Sequence, residues 1–487
     1  MTDQTTPSSA ASKKFDYAVA NYQPHPLSRF SGHRLITALR PFPETRKKLK
    51  ALLNRLPDYS PEQRKLPRAL RKMQLPQLLR VFAALPRNCE LAEYMHATIC
   101  EGYMGREPQS AKSNAILQGL HECSSPEQFG GSKRIANTAQ FCSALTGMPG
   151  SGKSSTLSHI VKSLYEPIIY HPEINVWQIP VLNIEMAYNG TSQATLAHAI
   201  ISAIAKRYPD GDYARLYLKP RMNAEERLLA AFTLIHIHCV GMVVVDEAQN
   251  RDYTADKAAG VRKQTVGQAP LSTLLITASN RLEVPLLLVG TVELEDSIGS
   301  RLSKVRRLAG LPHWGPLSLE GTEEKPSEYH VFLSFLWQFQ WLQEPPELTD
   351  RMYNLFHYYT AGIPDFMVKL FYYVQWDCLQ EEEETFDEET IHRVAHKRMA
   401  SIVKVTKAIH TRDKASLTML AQIPDLAPDL GLSPTQIPSE LLTPASEANM
   451  DPAEAMSPFP YKARPTRRRK ASPIEAAQPA DFESLSE

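Results

Sequence analysis

The run Gly147-Met148-Pro149-Gly150-Ser151-Gly152-Lys153-Ser154 restricts the fold of this chain more than any other feature. It satisfies G-x-x-x-x-G-K-[ST] at every fixed position. An apolar run, Phe141 to Thr146, comes directly before it, and an amphipathic stretch, Lys153 to Tyr165, begins at its lysine. Between a strand and a helix, such a loop lets the backbone wrap a phosphate with its N–H groups, while the lysine adds a point charge. The Ser154 hydroxyl is placed to bind Mg²⁺. The expected nucleotide-binding set is therefore Gly147, Pro149, Gly150, Ser151, Gly152, Lys153, Ser154 and Ser155. A glycine turn of purely structural use is the bland alternative, and strand, loop and helix together speak against it.

A second apolar run, Met242 to Val245, ends in Asp246 and Glu247. Asp246 at a strand end can hold Mg²⁺ through its water shell, and Glu247 can orient and activate an attacking water. Leu286 to Gly290 is a third strand of the same kind, delivering Thr291 as a candidate γ-phosphate sensor. Arg301, Arg306 and Arg307 follow, where ring-forming ATPases present an arginine to the neighbouring subunit's γ-phosphate. Arg306 and Arg307 are the preferred pair, and an exposed basic helix face is the alternative. His236 and His238 have no cysteine or carboxylate at ligand spacing and read as packing residues.

The near-neutral total of the 487-residue chain, +1, hides an uneven distribution. Residues 26 to 87 carry fifteen basic residues against Glu44, Asp58 and Glu62, so that segment is +12 and residues 88 to 487 are −11. An acidic partner, DNA or protein, is expected for it. The longest apolar runs fall far short of the ~20 residues needed to span a bilayer. The polar start, Met1 to Ser12, lacks the apolar core of a secretory signal, so the expected compartment is the cytoplasm. Six cysteines with no C-x-x-C pair argue against both a zinc site and a disulfide framework.

Apolar strands alternating with amphipathic helices from about residue 136 predict an α/β core with a parallel sheet. Expected strands are Phe141 to Thr146, Trp177 to Glu185, Met242 to Asp246, Leu286 to Gly290 and, more weakly, Trp314 to Leu319. Residues 328 to 405 read as a helical bundle, with the acidic run from Glu381 forming a solvated helix entry. Arg251 to Pro270 reads as a flexible polar insert. Eleven prolines in the last 64 residues predict a disordered tail carrying a basic patch, Lys462 to Lys470. The expected division is a disordered N-terminus (1–25), a basic helical region (26–90), the nucleotide-binding core with its extension (91–327), a helical lid (328–410) and the tail (411–487).

Beyond the phosphate loop, the chain resembles the TnsC/TniB group of AAA+ ATPases that choose target DNA for transposons. The resemblance runs from about Ala92 to Met399. It rests on Gly102 to Pro108, Ile169 to Val176, Asn189-Gly190-Thr191, Val245 to Gln249, Val284-Pro285 leading to Gly290-Thr291, Leu336 to Gln340 and Val368 to Phe371. Several of these have no role in binding ATP. The resemblance implies an AAA+ core with a helical lid, ATP and Mg²⁺ as cofactors, and homo-oligomers, rings or helical filaments, wound on duplex DNA in a bacterial cytoplasm. It also implies docking of a TniQ/TnsD-type target selector and of transposase subunits. One family feature is missing: Asp365 stands where a lid arginine follows a lid glycine, here Gly362, and Lys369 is the available substitute.

Two readings follow. In one, the chain is a DNA-bound switch that uses ATP to assemble a target-marking oligomer and hydrolysis to dismantle it. In the other, it is a DNA-remodelling or initiator-type motor. The lack of an obvious pore-loop aromatic motif or helicase motif disfavours the motor.

Overall fold

The computed structural model describes residues 15–131, 142–186, 192–219, 221–248, 253–256, 261–264, 271–291, 294, 311–322, 325–381 and 384–411. The chain divides into two compact units. The first comprises Met1–Phe42, Leu91–Thr146 and Leu157–Pro312, and the second Pro43–Glu90, Gly147–Thr156 and His313–Glu487.

The first unit is built on a four-stranded parallel sheet. Its strands are β2 (Cys142–Thr146), β5 (Val181–Glu185), β6 (Met242–Asp246) and β9 (Leu286–Gly290), in the order β2-β9-β6-β5. Strands covered on both faces need apolar residues at every position rather than at alternate ones. The Val243-Val244-Val245 and Leu286 to Val289 runs meet that need, and all are buried. Helices Gln193–Arg207, Ala224–Ile237 and Leu271–Leu282 contribute Ile200, Ile204, Phe232, Leu275 and Leu282 to the same core. The N-caps Ser192 and Asn223 accept the N–H of Thr195 and Glu226, closing the first turns of two of these helices.

The expected strand from Trp177 to Glu185 is two. β4 (Val176–Gln178) pairs antiparallel with β3 (Ile169–His171), which pairs parallel with β1 (Ala18–Val19), whereas β5 pairs parallel with β6. Pro180, which has no N–H for a ladder, sits at the break. The polar insert holds an antiparallel hairpin, β7 (Tyr253–Asp256) and β8 (Val261–Gln264), so it is not wholly irregular.

The second unit is helical among its described residues. Helices Glu328–Trp337, Asp350–Thr360, Pro364–Cys378 and Glu388–Arg398 enclose an aromatic core that includes Trp337, Phe356 and Phe371. In place of the expected strand at Trp314 to Leu319 there is one parallel bridge, Gly147 to Trp314. The acidic run is not all solvated. Glu384 is buried and paired with Arg71, whose guanidinium also donates to the Trp341 carbonyl at 2.9 Å.

Six arginines of the basic segment pair with acids that lie outside it, Arg34 reaching Glu173 at 3.9 Å. Arg29 pairs with Glu101, Arg40 with Glu166, Arg68 and Arg71 with Glu384, and Arg87 with Glu328. Part of the +12 is therefore neutralised inside the fold. No helix among the described residues is long and apolar enough to cross a membrane. The six cysteines are free thiols, and five of them are buried.

His236 and His238 are packing residues. The ring of His236 lies 2.9 Å from the Ser113 hydroxyl, and that of His238 lies 2.8 Å from the Tyr213 hydroxyl. Burial lowers both to about 4. A base with a depressed pKa is protonated first in the unfolded chain, so its contribution is complete above about pH 6.5 and is lost as the pH falls towards 4. Each histidine adds a slope of about 1.4 kcal/mol per pH unit within that window. Urea titrations at pH 7.5 and 5.0 should show the loss, and His238→Gln should flatten the slope by about one proton's worth.

Candidate phosphate-binding loop and carboxylate strand end

In the second unit, the glycine loop follows β2 in the chain, and the helix Lys153–Leu164 begins at its lysine. Gly150 and Gly152 have φ of +80° and +92°, a region that L side chains rarely adopt, so the loop turns where glycine alone is unstrained. The buried Lys153 ammonium donates to the carbonyls of Gly147 at 2.5 Å and Met148 at 2.9 Å, and lies 3.4 Å from the Ser151 hydroxyl. One turn into the helix, the Thr156 hydroxyl donates to the Gly152 carbonyl at 2.7 Å and accepts from the Asn88 amide at 2.9 Å. This arrangement fits a polyphosphate: the backbone curls at two glycines, and an ammonium held on carbonyl oxygens inside the curl supplies the positive charge.

Backbone contacts hold the loop to the helical bundle. The Met148 N–H donates to the Trp314 carbonyl at 3.1 Å, and the Leu317 N–H donates to the Gly362 carbonyl at 2.8 Å. A Cβ on Gly147 would overlap the Trp314 carbonyl, and one on Gly362 would overlap the Leu317 carbonyl. The Asp365 N–H donates to the Gly150 carbonyl at 3.3 Å, and a Cβ on Gly150 would lie 3.0 Å from Ile363 Cγ2. Lys369, the candidate substitute for the missing lid arginine, pairs with Asp365 at 2.6 Å. None of Asn88, Trp314 and Ile363 stands out in the sequence. The nearest signal is Gly362-Ile363-Pro364, a positive-φ glycine just ahead of a proline that opens a helix.

In the first unit, the register aligns Thr146 with Gly290 and Val245 with Leu288, so β2, β9 and β6 end along one edge of the sheet. Thr291 leaves the sheet from β9, between the strands that carry Thr146 and Asp246. Asp246 is half-buried, and its Oδ1 accepts the Glu247 N–H at 3.0 Å. Glu247 has φ +52°, a left-handed backbone that costs a non-glycine residue about 1 kcal/mol. Strain of this kind gathers at functional sites. Arg301, Arg306 and Arg307 lie outside the described residues, as does the tail patch Lys462 to Lys470.

A family model described as an AAA domain matches residues 136–298. A search among curated proteins finds no match. Among solved structures the chain is similar to NtrX from Brucella abortus, crystallised in complex with ATP, at 12% identity and a TM-score of 0.25, over 67% of this chain and 66% of that one. It is also similar to Drosophila ORC bound to DNA, at 11% identity and a TM-score of 0.25, over 67% of this chain and 75% of that one. The chain thus spans about two thirds of the NtrX chain.

Gly147→Ala should break the backbone approach to Trp314. The expected result is a lower melting temperature together with at least about tenfold weaker binding of an ATP analogue, because the loop carbonyl that holds Lys153 would shift by the width of a methyl group. Calorimetry and a fluorescent analogue measure the two effects separately. The family likeness covers 163 of 487 residues, and over residues 136–298 it gives the chain an AAA-type fold.

Proposed function

We propose that this chain is an ATP-hydrolysing switch that assembles on duplex DNA and links a target selector of TniQ/TnsD type to the transposase subunits of a transposon. The observation that carries the nucleotide part is the loop itself, with the Lys153 ammonium seated among the carbonyls of Gly147 and Met148. Support for the transposition part comes from the sequence runs outside that loop. Gly102 to Pro108 and Ile169 to Val176 resemble the TnsC/TniB group and serve no step of ATP chemistry.

In this reading N–H groups of residues 150–155 bind the phosphates, and Lys153 leaves its carbonyl partners to meet the β and γ phosphates. Ser154 and Asp246 would hold Mg²⁺, and the ion would supply neutralisation of the phosphate charge there. Glu247 orients the attacking water and accepts its proton, and Thr291 senses the γ-phosphate. Arg306 or Arg307 reaches a neighbour's site in the oligomer. ATP binding completes the subunit interface, and hydrolysis releases it, resetting the assembly.

The internal pairing of Arg29, Arg34, Arg40, Arg68, Arg71 and Arg87 reduces the charge left for DNA in the basic segment. The rest of that segment supplies salt-sensitive attraction to phosphate. The proline-rich tail tethers the transposase, since many weak copies along one oligomer add avidity.

Electron microscopy of the full chain with duplex DNA and a nonhydrolysable ATP analogue tests the proposal. Rings or helical filaments are expected, and isolated monomers would count against the switch. Glu247→Gln should retain ATP and DNA binding while slowing hydrolysis about 100-fold or more, and normal turnover in that variant would remove Glu247 as the base. Mixing Glu247→Gln subunits with subunits lacking both Arg306 and Arg307 should restore activity if either arginine acts across the interface.

A further inference from the structure

Absence of a C-x-x-C pair speaks against a zinc site in the sequence, yet the first unit brings His25, His96 and Cys100 together, with one potential ligand atom from each lying within 4.8 Å of the others. His96 and Cys100 are four residues apart on the helix Pro86–Met104 and so share one face. His25 comes from the segment between β1 and the short helix Ser28–Ser31, seventy-one residues upstream of His96. Arg29 of that short helix forms an ion pair at 2.8 Å with Glu101, the neighbour of Cys100.

We propose that His25, His96 and Cys100 form a binding site for a zinc-class divalent ion, with water as the fourth ligand. Zinc takes sulfur at about 2.3 Å and imidazole nitrogen at about 2.0 to 2.1 Å, so a tetrahedral ion separates the two ligand atoms by about 3.5 Å. The Cys100 Sγ and His96 Nε2 are 3.6 Å apart, the edge that such an ion needs. The other ring nitrogen of His96 faces the Tyr165 hydroxyl at 3.4 Å, and Phe42 stacks on the ring at 4.6 Å. Contacts of this outer kind orient a ligating imidazole. A mixed set of two imidazoles and one thiolate suits zinc and excludes magnesium or calcium, which take oxygen.

His25 is the ligand recruited last. Its Nδ1 accepts the Leu27 N–H at 3.0 Å, so coordination exchanges that hydrogen bond for the metal bond. Cys100 binds as thiolate: the S–H bond breaks, the S–metal bond forms, and the proton passes to water with no change of oxidation state. The ion would clip the N-terminal segment to the helix and close a loop of about seventy residues, which restricts the unfolded chain. It lies apart in sequence from the phosphate loop and from Asp246 and Glu247, so the inference does not rest on the proposed transposition role.

The test uses the full chain, stripped with a chelator and titrated with Co²⁺ and then Zn²⁺. One equivalent of Co²⁺ should give a thiolate-to-cobalt charge-transfer band and the intense visible absorption of a four-coordinate ion, and Zn²⁺ should displace it. Cys100→Ser should lose the charge-transfer band. His25→Ala removes a half-buried loop residue, so it leaves the fold intact and should weaken Zn²⁺ binding by at least about tenfold, no less than the loss of an outer-sphere partner. No charge-transfer band, a band that survives Cys100→Ser, or unchanged Zn²⁺ affinity in His25→Ala would each overturn the site.

Discussion

The helical unit depends on two places where backbone meets backbone with no room for a side chain. At one, Gly147 runs against the Trp314 carbonyl, and at the other Gly362 runs against the Leu317 carbonyl. The segment from Trp314 to Leu317 is thereby fixed at both ends, through Met148 N–H to Trp314 O and Leu317 N–H to Gly362 O. A side chain at either glycine would push these backbones apart, and the hydrogen bonds beside them would be lost together. The phosphate loop therefore takes its shape from the bundle as well as from its own sequence. Its third anchor, Asp365 N–H on the Gly150 carbonyl, is again backbone to backbone. That choice leaves side chains in the loop available for chemistry.

A second organising interaction is electrostatic. The Arg71 guanidinium is almost wholly buried, and it donates to the Leu66 and Trp341 carbonyls as well as pairing with Glu384. Desolvating two charges is costly, and a buried pair repays the cost only when its remaining donors find partners. Here they do. Glu384 is held below the usual carboxylate range by its hydrogen bond from Arg71, against the opposing effect of burial, with Arg68 adding to the lowering. The basic segment reads in sequence as a surface for an outside partner, but this part of it is an internal fastening.

Legibility in the sequence followed how local each signal was. β6 and β9 were readable to the residue, because strands buried on both faces are continuous apolar runs ended by a change of composition. Helix ends were nearly as clear where a capping side chain marked them, as Ser192 does before Gln193–Arg207. The glycine loop was legible because its chemistry requires residue types at fixed spacing. Distant contacts were not legible. Nothing in the spacing of Arg71 and Glu384, or of His25 and Cys100, shows that the fold unites them, since their sequence separation is set by everything folded in between. The split at Pro180 was visible in principle: a proline inside an apolar run marks the end of a ladder, but hydrophobicity masked it.

The hydrogen bond from the Glu247 N–H to Asp246 Oδ1 has a consequence for cation choice. With one carboxylate oxygen engaged by the backbone of its own neighbour, Asp246 presents Oδ2 to anything that approaches the strand end. A single-oxygen contact suits a small ion that keeps a near-octahedral shell of waters, whereas a larger ion such as calcium gains from a two-oxygen grip in which Oδ1 would have to serve the ion and the Glu247 N–H at once. Denticity at the end of β6 is thus written into the turn that follows it.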